Sequence, residues 1–489
     1  MRTIGIDIGT TTISIVLLEP ATGKVVEVKT IPNTGAMEST ISFEKVQNPK
    51  EILRLCKELL QQMDAIYPLH QVKGIGVTGQ MHGILYLNCK GDAVSPLYTW
   101  QDERGNQLLP IDDSRKQGLS YAGFAQQKTD YFLASGFGGI THYYNTMNGL
   151  VSEEATCFCT IADYVGMKLS GKRKPLLHPS LAASLGLYDL RGKCFDQEAI
   201  EKLGLDFCFF PEINSSECWI GSTKEGIPVS IALGDNQASF LGATRGMTPS
   251  FVNSETQGRT TIESSPRTIL LNIGTGSQIS IYSEGLGAAN KGEYRPYLKD
   301  SFIWAGSPLC GGYSYHLLKN FFEKTLGLFG ATPTVDWYQA MNRAGEVLYD
   351  EHPHSLGTAI FKVDTRFKGT RTEPERRGSI LHIAEENLQP DHFILGFLKG
   401  IAGELYEFYQ EFLLSETYSI DAASIDVPSM APSITLIGSG NGLRKNPLLR
   451  RICSELFGEE MLLSLQPEEA ACGSAFLAGK LCQEEDKNL

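Results

Sequence analysis

The sequence predicts an α/β protein with two domains, and three observations support this prediction. The chain has 489 residues, which is more than a single hydrophobic core accommodates. Short apolar runs bounded by turn residues alternate with long amphipathic segments, a pattern typical of α/β folds. One short phrase also occurs in both halves, as DIGTTT at residues 7–12 and as NIGTGS at residues 272–277.

The first domain is predicted over residues 1–243. Its strands are expected at residues 2–8, 13–19, 24–31, 72–78, 84–87 and 228–234. Pro49 opens an amphipathic helix, because proline fits the first helical position and apolar residues then recur at helical spacing. A helix-rich middle follows, and the last strand leads directly into Asp235 and a helix of small residues.

The second domain is predicted over residues 244–489, with the crossing between domains in the Thr- and Ser-rich segment 244–268. Its strands are expected at residues 269–273, 278–282 and 433–437. Helices are expected at residues 312–326 and 390–414, from Pro447, and at residues 467–481. The charged tail at residues 484–487 is predicted to fray.

The composition argues against several classes of protein. The net charge of −13 disfavours binding to nucleic acid or to an anionic membrane surface, since both need basic patches. No apolar run approaches the roughly 20 residues of a membrane span, and the N-terminus lacks a signal-peptide profile. The eleven cysteines include no CxxC pair, which fits reduced thiols and a cytoplasmic location.

The repeated phrase predicts two strand–turn–strand hairpins that bind phosphate. A glycine lets backbone N–H groups approach an anion closely, and threonine hydroxyls beside it add donors. The residues assigned to the phosphates are Gly9, Thr10, Thr11, Thr12, Gly274, Thr275 and Gly276. Only the first copy carries a carboxylate, Asp7, which indicates one Mg²⁺ with hard oxygen ligands. Two such turns can close on one polyphosphate, so a nucleotide between the domains is expected; plain hairpin turns are the alternative.

The GxGxxG phrase at residues 74–79 is not interpreted as a dinucleotide site. Its glycines lie within and at the end of an apolar strand, and another strand follows where the motif requires a helix. The chain also lacks the GxxxxGK[ST] signature, which excludes a P-loop protein.

Two polar phrases, QMHG at residues 80–83 and WQDER at residues 100–104, are predicted to bind a polyhydroxylated ligand. The first follows a predicted strand, and open α/β sheets bind ligands at such strand ends. The second combines an aromatic face with charged donors and acceptors, as a sugar requires. The residues assigned to the substrate are Gln80, Met81, His82, Trp100, Asp102 and Arg104. A satisfied core histidine and a surface ion pair are the alternatives.

Asp235 stands where a strand meets a helix, and its neighbours Asn236 and Gln237 are also assigned to the substrate. Asp235 is either a helix N-cap or a general base that accepts a proton from an attacking hydroxyl. A second junction predicts either an adenosine site or a plain turn, at Gly438, Ser439, Gly440 and Asn441. The basic loop at residues 367–378 fits an anion contact and an ordered surface loop equally well.

Taken in order, these phrases resemble the FGGY carbohydrate kinases, which phosphorylate sugars with ATP. The resemblance covers nearly the whole chain, from DIGTT through QMHG, WQDER, GDNQ and NIGTG to GSGNGLRKNPLLRRI. It implies two ribonuclease H-like domains of the actin and sugar-kinase type with an interdomain cleft, and it implies ATP and Mg²⁺ as cofactors. It further implies that Asp235 is the catalytic aspartate and that Asp7 lies near the metal and the γ-phosphate. The sequence leaves the oligomeric state open, with a homodimer as one option.

Within the family, residues 99–102, 136–138 and 271–279 look most like sedoheptulokinases, with xylulokinases next. We therefore expect transfer of the γ-phosphoryl group of ATP to a primary hydroxyl of a ketose, giving sedoheptulose 7-phosphate from sedoheptulose. Another sugar kinase of the family is one alternative, and an actin-type nucleotide switch without sugar phosphorylation is the other. Residues 142–149 (HYYNTMNG) depart from the family's pattern.

Overall fold

The computed structural model describes residues 1–110, 118–245, 267–288, 291–331, 334–351, 361–370, 373, 375–417 and 434–488. The chain divides into two compact units. Unit 1 comprises Met1–Glu255, Pro296–Asp300 and Leu465–Leu489, and unit 2 comprises Thr256–Arg295 and Ser301–Ser464. Most of the predicted crossing, residues 246–266, lies outside the described residues, so the domain boundary at residue 243 stays a prediction.

Unit 1 is built around one mixed sheet. The strands of unit 1, some of which form separate two-stranded pairs, are β1 (Thr3–Ile8), β2 (Thr12–Glu19), β3 (Lys24–Pro32), β4 (Val46–Gln47), β5 (Ile75–Gly79), β6 (Leu85–Leu87), β7 (Leu97–Tyr98), β8 (Cys157–Cys159), β9 (Leu176–Leu177), β10 (Tyr188–Asp189), β11 (Cys194–Phe195), β12 (Glu212–Ile213), β13 (Trp219–Ser222), β14 (Pro228–Ser230) and β15 (Leu233–Gly234). The central order is β13-β14-β5-β1-β2-β3, with β15 also paired to β5. Strands β1, β2 and β3 run antiparallel, whereas β5 and β14 extend the sheet in parallel.

The helices of unit 1 are α1 (Pro49–Asp64), α2 (Tyr121–Thr129), α3 (Gly138–Met147), α4 (Ile161–Leu169), α5 (Pro179–Ser184), α6 (Gln197–Lys202), α7 (Asp235–Arg245) and the closing helix α13 (Glu469–Asn488). Helix α1 begins as predicted, because the Asn48 side chain accepts from two backbone N–H groups and Pro49 occupies the first turn. The closing helix extends through the charged tail, so the predicted fraying at residues 484–487 is wrong. Glu and Lys are good helix formers, which accounts for the extension.

Glycines allow the closing helix to pack closely inside unit 1. A Cβ on Gly5 would lie 1.8 Å from the Ala471 carbonyl oxygen, and one on Gly76 would lie 1.9 Å from that of Ser474. Gly76, the middle glycine of the rejected GxGxxG phrase, therefore serves strand–helix packing. Helix α7 approaches α13 just as closely, since a Cβ on Gly473 would lie 1.8 Å from the Ala238 carbonyl oxygen.

Unit 2 repeats the strand plan of unit 1. Its strands are β16 (Thr268–Ile273), β17 (Ser277–Ser283), β18 (Glu293–Pro296), β19 (Phe302–Gly306), β20 (Lys362–Asp364), β21 (Ser379–Leu381), β22 (Thr435–Ser439) and β23 (Leu462–Leu463). The main sheet has the order β18-β19-β17-β16-β22-β23, in which β16, β17 and β19 run antiparallel and β22 and β23 follow in parallel. Both units thus place an antiparallel meander beside parallel strands, which confirms the predicted α/β class.

The helices of unit 2 are α8 (Gly311–Leu328), α9 (Trp337–Glu351), α10 (Pro390–Thr417), α11 (Asn441–Arg444) and α12 (Pro447–Phe457). They cover a core formed by β16, β17 and β22 with the buried faces of α9 and α10. Helix α9 and strand β19 have no counterpart in the predicted elements. Among the described residues, no helix combines the length and the apolar character that a membrane span needs.

Candidate active site

The turn between β1 and β2 is held in place by side chains from two neighbouring segments. The Asn33 side-chain amide donates to the Gly9 carbonyl, and the Asn33 N–H donates to the Thr11 carbonyl, both at 2.8 Å. Gln47 Nε2 donates to the Thr10 carbonyl at 2.8 Å. A Cβ on Gly9 would lie 2.9 Å from the Thr12 carbonyl oxygen, so this position favours glycine. The predicted phosphate turn, residues 9–12, is therefore a fixed element of unit 1.

Asp7 lies on β1 just before this turn, in an environment that suits a cation. Burial, with the carboxylates of Asp235 and Glu468 nearby, raises the pKa of Asp7 from 3.8 to about 7. Its Oδ1 atom is buried without a hydrogen-bond partner among the described residues. A bound divalent cation would compensate this buried charge, so the residue fits Mg²⁺. Among the described residues, no group of three or more His, Cys, Asp or Glu is placed to hold a metal, and Asp7 is the residue that would hold the ion.

Asp235 is the first residue of α7 and follows β15 directly. Gly234 pairs with Gly79 in the parallel ladder, so Asp235 and Gln80 leave the sheet at neighbouring strand ends. Two hydrogen bonds from side chains hold the backbone before Asp235. Ser180 Oγ accepts from the Gly234 N–H at 3.1 Å, and Thr78 Oγ1 donates to the Leu233 carbonyl at 2.9 Å. Asp235 is half-buried, and its charge acts on Asp7. The sheet therefore brings the two predicted functional carboxylates to one edge.

Met81 and Gln237 pack around the backbone that carries Asp235. A Cβ on Gly234 would lie 2.6 Å from Gln237 Oε1 and 2.9 Å from Met81 Sδ, so these groups are in contact. Gln237 Nε2 donates to the Pro296 carbonyl at 3.1 Å, which orients the amide. Its Oε1 atom is buried without a partner in the described part of the chain. Asn236, which stands between Asp235 and Gln237 in the chain, is half-buried.

His82 is held in an unusual backbone conformation. Its φ of +71° lies in the left-handed region, where strain in a non-glycine residue often accompanies a functional site. The His82 N–H donates to Ser184 Oγ at 3.1 Å, and its ring stacks on Phe137 with centroids 4.7 Å apart. Nδ1 lies 2.7 Å from the Ser184 carbonyl oxygen. Because a carbonyl only accepts, Nδ1 carries the hydrogen, which fixes the ring's tautomer.

The WQDER phrase combines three exposed residues, Trp100, Gln101 and Glu103, with two buried ones, Asp102 and Arg104. Trp100 is 48% exposed, and its indole Nε1 donates to Thr10 Oγ1 at 3.0 Å. The Asp102 and Arg104 side chains form a buried ion pair, with Arg104 Nε 2.6 Å from Asp102 Oδ1. The Asp102 carboxylate also accepts from Arg104 Nη2 and from the backbone N–H groups of Arg104 and Lys45. These bonds use the capacity of the carboxylate, so the role predicted for Asp102 and Arg104 in sugar binding stays a prediction.

The atypical stretch at residues 142–149 supports Arg104 from α3. Asn145 Oδ1 accepts from Arg104 Nη1, and Asn145 Nδ2 donates to the Tyr86 hydroxyl at 3.4 Å. That hydroxyl lies 2.9 Å from Nδ1 of His142. Burial lowers the pKa of His142 to about 4. A neutral His142 therefore completes a buried polar network around Arg104.

The second Gly-Thr turn, in unit 2, lies against the N-terminus of α8. The Gly274 carbonyl accepts from the Gly312 N–H at 3.1 Å, and the Thr275 carbonyl accepts from the Tyr313 N–H at 2.9 Å. A Cβ on Gly274 would meet no atom of the described part of the chain within 4 Å, so on this side the described residues leave the turn open. A Cβ on Gly311 would lie 2.3 Å from the carbonyl carbon of Gly276, which accounts for the glycine pair that opens the helix.

The predicted adenosine turn packs on the same hairpin within unit 2. Gly440 has a φ of +82°, and a Cβ there would lie 2.5 Å from the Ile273 carbonyl oxygen. Gly438 is held by β23, since its carbonyl accepts from the Ser464 N–H at 2.8 Å. Ser439 is buried, and its hydroxyl has no partner among the described residues. Unit 2 thus brings Gly274–Gly276 and Gly438–Asn441 together, as one nucleotide site requires.

The basic loop at residues 367–378 is described only in part, because Arg371, Thr372 and Pro374 lie outside the described residues. Arg376 Nη2 pairs with Asp364 at 2.7 Å, and Arg366 pairs with Asp364, Glu404 and Glu407. These ion pairs fit the ordered-loop alternative for the described part of the loop.

Sequence reasoning missed the side chains that hold the predicted site in place. They are Asn33 and Gln47 at the phosphate turn, Phe137 and Ser184 at His82, Ser180 at Asp235, and Gly311 and Gly312 at the second turn. Most are common polar residues whose partners lie far away in the sequence, so no local pattern marks them. Of these, only the Gly311–Gly312 pair at the start of α8 gives a sequence signal, since paired glycines at a helix start permit close backbone approach.

Comparisons with known proteins find that this chain is similar to carbohydrate kinases. Residues 2–242 match the profile described as the FGGY family of carbohydrate kinases, N-terminal domain. The mouse sedoheptulokinase is 25% identical over 499 residues, which covers 97% of this chain and 96% of the relative. The gluconokinase of Bacillus subtilis is 21% identical over 478 residues, covering 97% of this chain and 86% of the relative.

Solved structures share the fold. The xylulose kinase from Rhodospirillum rubrum superposes with a TM-score of 0.75 at 17% identity, covering 99% of this chain and 91% of that structure. The gluconate kinase from Lactobacillus acidophilus gives a TM-score of 0.73 at 18% identity, covering 99% and 89%. At these identities the similarity concerns the fold, and it confirms the predicted sugar-kinase type of two-domain α/β protein.

Proposed function

Because this chain belongs to the FGGY family of carbohydrate kinases, we propose that it phosphorylates sedoheptulose to sedoheptulose 7-phosphate. The class of reaction follows from the family: the chain is a phosphotransferase with an alcohol group as acceptor, and ATP and Mg²⁺ are its cofactors. The choice of sedoheptulose rests on the mouse and human relatives of that name, each matched over 97% of this chain.

One structural observation supports the proposed chemistry most directly. Asp7 lies near the end of β1, Asp235 and the Gln80–His82 segment follow the ends of the neighbouring strands β15 and β5, and the charge of Asp235 acts on Asp7. A phosphoryl acceptor, its general base and a metal-linked carboxylate must meet in this way, because phosphoryl transfer depends mainly on positioning and charge neutralisation.

Asp235 acts in the proposal as the base that orients the attacking hydroxyl and accepts its proton late in the reaction. An ordinary carboxylate is too weak to ionise an alcohol beforehand, so its position decides its contribution. The fixed strand end at Leu233 and Gly234 supplies that position. Asp7 would hold Mg²⁺, which offsets the charge of the ATP phosphates.

The remaining residues are assigned to the two substrates. Unit 1 contributes the turn at residues 9–12 to the phosphates and Gln80, Met81, His82 and Trp100 to the sugar. Asn236 and Gln237 are assigned to the sugar as well, since Gln237 presents a buried acceptor oxygen beside Met81. Unit 2 contributes Gly274–Gly276 to the phosphates and Gly438–Asn441 to the adenosine.

A panel of acceptors tests the proposed substrate. ADP production is measured with sedoheptulose, xylulose, ribulose, fuculose, gluconate and glycerol, and the product is identified by mass spectrometry. We expect the highest kcat/KM with sedoheptulose and a heptulose monophosphate as product. A higher kcat/KM with any other acceptor would assign the enzyme to that substrate instead.

A further inference from the structure

Gln47 is a buried side chain that holds the predicted phosphate turn and also contacts Gln80 of the predicted sugar site. It ends β4, where it pairs with Leu97 of β7, and only 4% of it is exposed. A buried glutamine needs partners for both ends of its amide, because an unsatisfied buried polar group is costly. The partners of the Gln47 amide are the carbonyl of Thr10 on the predicted phosphate turn and the side chain of Gln80 in the predicted sugar site.

These three residues form a closed ring of hydrogen bonds. Thr10 Oγ1 donates to Gln80 Oε1 at 3.4 Å, Gln80 Nε2 donates to Gln47 Oε1 at 2.9 Å, and Gln47 Nε2 donates to the Thr10 carbonyl at 2.8 Å. Each member donates once and accepts once, so a change at one bond alters its neighbours. We call this set the Thr10–Gln47–Gln80 ring.

Trp100 connects the ring to the predicted sugar site. Its indole Nε1 donates to Thr10 Oγ1 at 3.0 Å, so the Thr10 hydroxyl accepts from Trp100 and donates to Gln80. A hydroxyl has a single hydrogen to donate. The Thr10 hydroxyl can therefore donate to Gln80 or to a phosphate oxygen, but not to both.

Because the Thr10 hydroxyl donates to only one acceptor at a time, phosphate binding changes the hydrogen bonding of Gln80. When a phosphate takes the Thr10 hydrogen, Gln80 Oε1 loses its donor while Gln80 stays buried, with 2% of it exposed. A sugar hydroxyl that donates to Gln80 Oε1 restores the lost bond. We propose that the Thr10–Gln47–Gln80 ring couples the two substrate sites, so that ATP and the sugar each raise the affinity for the other, with Gln47 as the positioning residue.

The coupling rests on the proposed function, since it assumes that Thr10 contacts phosphate and Gln80 contacts the sugar. Linkage requires that the effect be reciprocal. Gln47 acts through its neighbours, because its amide fixes both the Thr10 carbonyl and the orientation of the Gln80 amide. Removing this amide should uncouple the two sites.

Binding affinities in the full chain test the proposal. The Kd of sedoheptulose, or of the acceptor that the panel identifies, is measured by titration calorimetry with and without Mg²⁺ and a non-hydrolysable ATP analogue. For the unmodified chain we expect the analogue to lower the Kd by at least about fivefold. The coupling is expressed as the ratio of the Kd measured without the analogue to the Kd measured with it. For Gln47→Ala we expect this ratio to be near one. Because the ratio compares two affinities of one variant, a uniform loss of active protein cancels.

Two further variants sharpen the test. Gln47→Glu keeps an acceptor for Gln80 Nε2 but cannot donate to the Thr10 carbonyl, so its ratio should fall below that of the unmodified chain even if Gln47→Ala fails to fold. Gln71→Ala, at an exposed glutamine, should keep the full ratio. A full ratio in either Gln47 variant would overturn the coupling. Equal affinities in an unmodified chain that phosphorylates the sugar would also overturn it, whereas absence of phosphorylation would overturn the proposed function.

Discussion

Asp235 is the single residue on which the proposed reaction depends most. Exchange to Asn keeps the size and most hydrogen bonds of the side chain but removes the base. We predict that Asp235→Asn lowers kcat by about 10²–10⁴-fold and leaves the affinity for ATP within a few-fold. Sugar-dependent ADP production and nucleotide titration measure the two quantities.

The control for this exchange is Asp130→Asn, at an exposed residue in the left-handed region that Asn also tolerates. It should leave both quantities unchanged. Full turnover in Asp235→Asn would contradict the role of base and would return Asp235 to the helix N-cap alternative.

Residue types and their order predicted where the candidate residues stand in the fold, whereas their burial could not be predicted. Asp7, Asp235 and both Gly-Thr turns stand at strand ends, as the local patterns predicted, and their roles stay predictions. It did not show that Asp102 and Arg104 satisfy each other within the core. That outcome depends on Asn145, which is distant along the chain, and on the backbone N–H of Lys45.

At the scale of elements, the packing of α7 against α13 sets the position of Asp235 within unit 1. We predict that Gly473→Ala destabilises the protein by about 1–3 kcal/mol or more and lowers kcat. The added Cβ would lie 1.8 Å from the Ala238 carbonyl oxygen, so α7 must shift. Thermal unfolding and the coupled assay measure the two effects.

Gly166→Ala in α4 is the matched control, since its nearest atom, Ile220 Cδ1, lies at an ordinary 3.4 Å. Because alanine favours helices by about 1 kcal/mol over glycine, this variant should be unchanged or slightly more stable. Equal effects of the two exchanges would show that the contact between α7 and α13 does not position the base.

The N-terminus of α4 predicts a dependence of stability on pH. Burial raises the pKa of Asp163 in its capping box from 3.8 to about 7. Between about pH 4 and pH 7 the folded state therefore binds a proton that the unfolded state releases, so this contribution to stability is lost as the pH rises through 7. The contribution of Asp163 to the free energy of unfolding is about 4 kcal/mol, because the pKa rises by about three and each pKa unit corresponds to about 1.4 kcal/mol.

We predict that Asp163→Asn reduces the difference in urea midpoint between pH 5 and pH 8, because the amide does not titrate. The control Asp206→Asn, at an exposed capping residue, should keep the difference. An unchanged pH dependence in Asp163→Asn would mean that Asp163 titrates normally. Asp7 contributes in the same direction, so part of the dependence should remain in Asp163→Asn.

Strands and helices with strong periodicity were predicted to within a few residues, including β1, β2, α1, α8 and α12. The elements that were missed have weaker local signals. Strand β19 (FIWAG) is short, and it is defined by pairing with β17. Helix α9 begins at Trp337, only nine residues after the end of α8 at Leu328. Its buried side is narrow, with Met341, Gly345, Leu348 and Tyr349.

At the scale of the whole molecule, two similar units carry different parts of one proposed reaction. Both place a Gly-Thr turn after the first strand of an antiparallel meander, but only unit 1 has the carboxylates Asp7 and Asp235. The Gln80–His82 segment and the WQDER phrase favour an enzyme over an actin-type nucleotide switch, because a switch binds no sugar acceptor and has no need for them.

The central claim is that phosphoryl transfer from ATP requires a sugar acceptor. The most direct test follows ADP release and phosphorus-31 spectra of the unmodified chain with Mg²⁺-ATP, in the presence and absence of sedoheptulose. We predict that one sugar phosphate forms for each ADP and that ADP release is slow without sugar. ADP release at the same rate without any acceptor, with inorganic phosphate as the product, would contradict this account.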